Sequence, residues 1–147
     1  MGATHLSGLA ISPAATTKAA LSLTEWEHSG KTLVLNLAAA QALTLPKATG
    51  SGAKFNLFVG ITKTGACTIK VVRAADTMAG AALIDGTTST MFQTTATSDT
   101  ITMLADNTSG GLLGTTVELE DVALNVWKVW MVGNGAGTEV TPFSAIV

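Results

Sequence analysis

From residue 31 onward, apolar and polar positions alternate with a period of two, and β-branched residues are frequent along the alternation. A pleated strand sends successive side chains to opposite faces, so this period predicts strands with one buried face. Residues 31–37 set Leu33, Leu35 and Leu37 against Thr32, Val34 and Asn36, and residues 42–45 continue toward Pro46. Phe55, Leu57, Val59 and Ile61 form one apolar face of the next strand, and Lys63-Thr64-Gly65-Ala66 reads as a hairpin turn into Cys67, Ile69 and Val71. Residues 79–86 are small and read as a connection; residues 89–93, 100–105, 115–119 and 125–132 predict further strands, punctuated by glycines. About eight short strands with no long amphipathic helix predict an all-β fold, an antiparallel β-sandwich or barrel-like domain.

The N-terminal part behaves differently. Residues 1–21, broken by Gly8 and Pro13, hold neither a period of two nor one of 3.6, and read as an extended N-terminal arm. Residues 22–147 are then a single β domain. At its start, Thr24-Glu25-Trp26-Glu27 places a hydroxyl and a carboxylate at capping-box spacing, which predicts one short helical turn stopped by Gly30.

Charge alters this picture. Only 12% of the 147 residues are charged, against about 25% in an ordinary soluble domain, while the mean hydropathy is +0.43. Either the surface is neutral, built from 24 Thr, 23 Ala and 15 Gly, or partners cover much of it. Seven lysines and Arg73 are scattered singly among ten acids, leaving no basic stripe to neutralise a phosphate backbone, so no nucleic acid partner is expected. The apolar stretch around residues 33–45 is interrupted by Asn36, Gln41 and Thr44, short of a spanning segment, and the first residues carry neither basic nor apolar signal regions. No membrane partner is expected. A lone Cys67 forms no internal disulfide and fits synthesis in a reducing cytoplasm.

Candidate chemistry is sparse. His5 and His28 are remote in sequence from Cys67, whose two-residue neighbours Ile69 and Val71 are apolar, so Cys67 reads as a small core residue. Two His and one Cys fall short of a closed zinc site, and no metal or other cofactor is expected. Glu118 and Glu120 share one strand face at a spacing a glycosidase can use, yet a charged outer face opposite Val117 and Leu119 that resists edge pairing accounts for them better. Residues 133–137 are glycine-rich, but no Lys-Ser/Thr follows, and Asn107-Thr108-Ser109 is a formal glycosylation sequon within a glycine-rich turn. The chain is not expected to be an enzyme. Trp127 and Trp130 have opposite parity on the last long strand, so one faces the core and the other the outside or a neighbouring subunit; both are candidates for a subunit interface.

Several blocks, in order, resemble a known family. Thr4-His5-Leu6-Ser7-Gly8 is similar to the Thr-His-Phe-Ser-Gly opening of the capsid decoration, or cement, proteins of tailed bacteriophages. Ser29-Gly30-Lys31-Thr32-Leu33-Val34-Leu35, Leu43-Thr44-Leu45-Pro46 and Lys54-Phe55-Asn56-Leu57-Phe58-Val59-Gly60 resemble that family's central passage. Asp99-Thr100-Ile101-Thr102-Met103, Thr116-Val117-Glu118-Leu119-Glu120 and Asn125-Val126-Trp127-Lys128-Val129 resemble its later blocks. The chain departs from the pattern at Gly8-Leu9, where the family has Gly-Pro, and at Asp121-Val122-Ala123-Leu124-Asn125, where it has an Asp-Gly-Thr-Asn hairpin. The resemblance implies a β-rich homotrimer on the outer surface of the phage head, a virion protein made in the host cytoplasm, that clamps neighbouring major capsid protein subunits. On this reading Thr4, His5, Leu6, Leu9 and Ile11 of the arm bind the capsid. The alternative is a carbohydrate-binding or adhesin-like β module on a virion or cell surface, resting on the sandwich pattern and on Trp26, Trp127 and Trp130.

Overall fold

Where Leu33 and Leu35 alternate with Thr32 and Val34, the chain is strand, with the leucines buried and their neighbours half-exposed. The computed structural model describes residues 14–147. In chain order these form β1 (Ala14–Thr16), β2 (Ala20–Ser22), the short helix α1 (Glu25–His28), β3 (Thr32–Leu35), β4 (Gln41–Thr44), β5 (Lys54–Val59) and β6 (Cys67–Lys70). There follow β7 (Thr77–Asp85), β8 (Ser89–Gln93), β9 (Thr100–Met103), β10 (Thr116–Ala123), β11 (Val126–Asn134) and β12 (Phe143–Ser144). One sheet has seven strands in the order β1-β3-β5-β10-β11-β7-β8, the other five in the order β12-β9-β6-β4-β2. Their inner faces contribute to one apolar core, Leu35, Leu57, Leu119 and Trp127 from the first and Leu43, Ile69, Ile101 and Met103 from the second, as in a sandwich.

The sheets are mixed rather than antiparallel. β1, β3 and β5 are parallel neighbours in the large sheet, and β2, β4 and β6 are parallel neighbours in the small one. The chain therefore alternates between sheets for three successive coils, stacking Ala14 on Leu33 on Leu57 and Leu21 on Leu43 on Ile69. A parallel pair needs a long crossover, and here the crossover is the strand of the opposite sheet. For the same reason residues 63–66 are no hairpin turn, since β5 and β6 lie in different sheets. Antiparallel pairing returns where β10 docks between β5 and β11, β7 turns back into β8, and β9 joins β6 to β12.

The boundary of the arm also moves. Residues 14–16 and 20–22 are paired strands of the first coil, so the described part of the stretch read as an arm belongs to the β domain. A polar ladder ties the coil corners together. Gln41 Nε2 donates to the Lys18 carbonyl (2.8 Å), while Lys63 Nζ donates to Gln41 Oε1 (2.8 Å) and to the Leu37 carbonyl (2.6 Å). Lys63 is fully buried, and desolvation lowers its pKa, opposed by the nearby Cys67. Burial in turn pushes the Cys67 thiol up to about 11, so it stays protonated at neutral pH.

Candidate functional site

Strand direction sorts the loops into two ends. α1, the β4–β5 loop, the β6–β7 loop and the β10–β11 turn share one end, and the chain also enters β1 there, because Ala14 aligns with Leu33. α1 forms as its sequence predicts: Thr24 caps it, accepting from the Glu27 amide through Oγ1 (3.2 Å). His28 Nδ1 accepts from the Thr24 amide (3.0 Å). The turn is fastened to the β4–β5 loop. Ser51 Oγ donates to Glu25 Oε1 (2.8 Å), the Lys54 amide to Ser29 Oγ (3.2 Å), and the Gly30 amide to the Lys54 carbonyl (2.8 Å). On this fixed turn Trp26 is 93% exposed. Across the 49–52 loop stand Leu124, 64% exposed, and Val122, 45% exposed.

Beneath the turn lies Asp121, fully buried and inward-facing at the end of β10. Its carboxylate accepts from the amides of Thr49 (3.0 and 3.1 Å), Gly50 (2.7 Å) and Ser51 (3.1 Å) and from the hydroxyls of Thr49 (3.3 Å) and Ser51 (2.9 Å). The one Ser51 hydroxyl proton is divided between Asp121 and Glu25, linking this anion nest to α1. Burial raises the Asp121 pKa, but the donated hydrogen bonds outweigh it and hold the carboxyl below the usual aspartate value.

The second surface is the outer face of the seven-stranded sheet. One register row crosses every strand. It begins Ala15, Val34, Phe58, Thr116 on β1, β3, β5 and β10, and continues Val132, Leu83, Met91 on β11, β7 and β8. All but Thr116 are apolar, and all are half-buried or exposed, Met91 at 57%. The next row places Glu118 between Asn56 and Trp130, and the one beyond places Glu120 between Lys54 and Lys128. These two rows edge a shallow depression of about 180 Å³.

The two tryptophans of β11 divide as their parity requires. Trp130 is 37% exposed on the outer face, whereas Trp127 is fully buried, its ring centroid 5.6 Å from that of Phe55. Trp127 is thereby removed from the candidate interface, since a side chain enclosed by its own subunit has no surface to offer another. Thr4, His5, Leu6, Leu9 and Ile11 lie outside the described residues. Glu118 and Glu120 do form a charged outer face, but β10 is paired on both sides and has no edge to protect. Ile61, read with the core stripe, is 41% exposed, because β5 ends at Val59. Trp26, Leu124 and Val122 were not singled out as a group by the sequence. The available signal was a bulky aromatic inside a four-residue capped turn, too short to bury all its faces. Among the described residues, no three His, Cys, Asp or Glu side chains group to hold a metal ion.

In comparisons with known proteins, no protein-family model, no curated protein and no solved structure matches the chain.

Proposed function

We propose that the chain is a capsid decoration protein that seats its Trp26-bearing end on the assembled head of a tailed bacteriophage and strengthens contacts between major capsid protein subunits. The observation that carries this reading is Trp26 itself, 93% exposed on a turn held by its cap and by three hydrogen bonds to residues 51–54. Such an indole contributes little to the fold, whereas a rigid exposed tryptophan is a typical interface anchor with little entropy left to lose on binding. Leu124 and Val122 extend the apolar surface at the same end. The segment carrying Leu6, Leu9 and Ile11 joins the domain there as well. A ligand that binds only the assembled lattice stabilises it by mass action, and linked copies gain effective concentration, so each contact can be weak.

Co-sedimentation with expanded, undecorated heads tests this. The wild-type chain is expected to pellet with the particles, and Trp26→Ala to weaken binding about 30-fold, the effect of removing an anchor of about 2 kcal/mol. Leu113→Ala, at the opposite end, should bind as wild type. Wild-type protein left in the supernatant, or undiminished binding by Trp26→Ala, would reject the reading. A carbohydrate-binding module is the second reading, favoured by Trp130 beside a depression edged with Lys54, Asn56, Glu118, Glu120 and Lys128. Saturable quenching of tryptophan fluorescence on a glycan panel would select it.

A further inference from the structure

We infer that the outer face of the seven-stranded sheet is where copies of this chain pack on one another, along the apolar row from Ala15 to Met91. This deepens the decoration reading and rests on it only for its setting, the oligomer at the head surface.

The row runs from one sheet edge to the other, so it is a property of the whole face and not of one strand. In an isolated sandwich the outward positions are polar, yet here Val34, Phe58, Val132, Leu83 and Met91 occupy them in register. Nothing helical covers them: α1, the one helix among the described residues, sits at the end of the sandwich.

Size and charge both select a second copy as the occupant. Seven strands about 4.8 Å apart, three to nine residues long and about six on average, give an outer face of roughly 700 Å² before side-chain relief is counted, the scale of the about 800 Å² of accessible surface per partner in a standard interface. Lys54, Glu120 and Lys128 alternate in sign two rows from the apolar row, Glu118 stands in the intervening row, and Asp85 lies in the row on the other side, so the face carries two cations and three carboxylates. Such a mixed face offers no strong net attraction to a highly charged partner of either sign, while a copy of itself can set lysine against glutamate at the rim. Trp130 lies between the two rows, where assembly covers it. The same packing accounts for a chain with only 12% charged residues.

Sedimentation velocity on the full chain without capsids tests this independently of head binding. Wild type is expected at a multiple of 14.9 kDa at micromolar concentration. Leu83→Glu and Met91→Glu should each raise the dissociation constant at least about 30-fold, moving the protein toward single-chain mass. Met91 is more than half exposed, so its variant folds even if Leu83→Glu does not. Leu113→Glu, equally exposed but at the far end of the sandwich, should assemble as wild type. A wild-type monomer at about 100 μM, or unchanged assembly of Met91→Glu, overturns the inference. So does a monomer that responds saturably to a glycan. Capsid binding by a monomeric wild type would leave the decoration reading standing and this inference refuted.

Discussion

Asp121→Ala is expected to lower the unfolding free energy by about 3–4 kcal/mol, a large part of the roughly 5–15 kcal/mol that holds a domain together. The carboxylate is fully buried with no cation beside it; three backbone amides and two hydroxyls neutralise it instead. Removing it takes away the one acceptor that these donors share and empties a buried site; residues 49–51 are exposed, so water re-satisfies some of the donors, and the penalty is set by those left enclosed, about 1–3 kcal/mol each. Asp121→Asn keeps the shape but turns an amide NH₂ toward the donors, so it should recover little. The same group sets an acid limit. Its folded pKa is depressed, so its contribution is complete above the unfolded aspartate value of about 3.9, erodes as pH falls below that, and is gone once pH passes the folded value. Urea unfolding followed by circular dichroism from pH 7 to pH 2.5 should show wild type losing stability below about pH 4 and Asp121→Asn losing less. A wild-type-like midpoint for Asp121→Ala at pH 7 would show that the nest is not what holds the loop. Because Ser51 also reaches Glu25, the alanine variant should in addition loosen α1 and weaken any binding through Trp26.

Most of the strands legible in the sequence alternate, β3, β4, β5, β6, β10 and β11 burying every second residue over most of their length, whereas β8, with no residue buried, and β9, with three of four buried, were legible without that burial pattern. β7 escaped because its middle is Ala79-Gly80-Ala81-Ala82, with no β-branched residue to mark a strand. The structure supplies the reason. A Cβ on Gly80, whose φ is +153°, would stand 1.9 Å from the Val129 carbonyl oxygen, so close packing of β7 on β11 excludes any side chain there. β1 and β2 are three residues each, too short to show a period at all. Pairing direction was illegible for another reason. A period of two records which face is buried and is silent on whether the chain turns back or crosses to the other sheet, and the three coils differ in length and share no repeated sequence.

Much the same division holds for the candidate surfaces. Strand parity separates Trp127 from Trp130 in the sequence, and the cap residues of α1 can be read residue by residue. What could not be read is that the turn stays uncovered, which depends on where residues 51–54 come to lie, or that seven outward residues fall in one row. That row is a property of register between strands up to about a hundred positions apart in sequence, and no window along the chain contains it.

Trp127→Ala is expected to cost about 3–5 kcal/mol, the loss from emptying a fully buried aromatic site that its surroundings refill only in part. Trp127 has no exposed surface and packs on Phe55 on the inner face of the seven-stranded sheet, at the end that carries the β10–β11 turn. Its Nε1 has no hydrogen-bond partner among the described residues, so the ring acts there as packing volume and its N–H adds nothing favourable. Trp127→Phe should therefore lose only about 1–2 kcal/mol, since an aromatic ring remains against Phe55 and an orphaned donor disappears. Equilibrium unfolding in urea orders the variants directly. A penalty for phenylalanine as large as that for alanine would mean the indole nitrogen carries the effect, against the packing account. Trp130→Ala supplies the contrast, with the folded spectrum retained and any change appearing in the concentration dependence of assembly. Should Trp127→Ala instead fold as wild type and lose only association, the buried position assigned to that ring would be wrong, and with it the choice of Trp130 as the one tryptophan of β11 that faces another molecule.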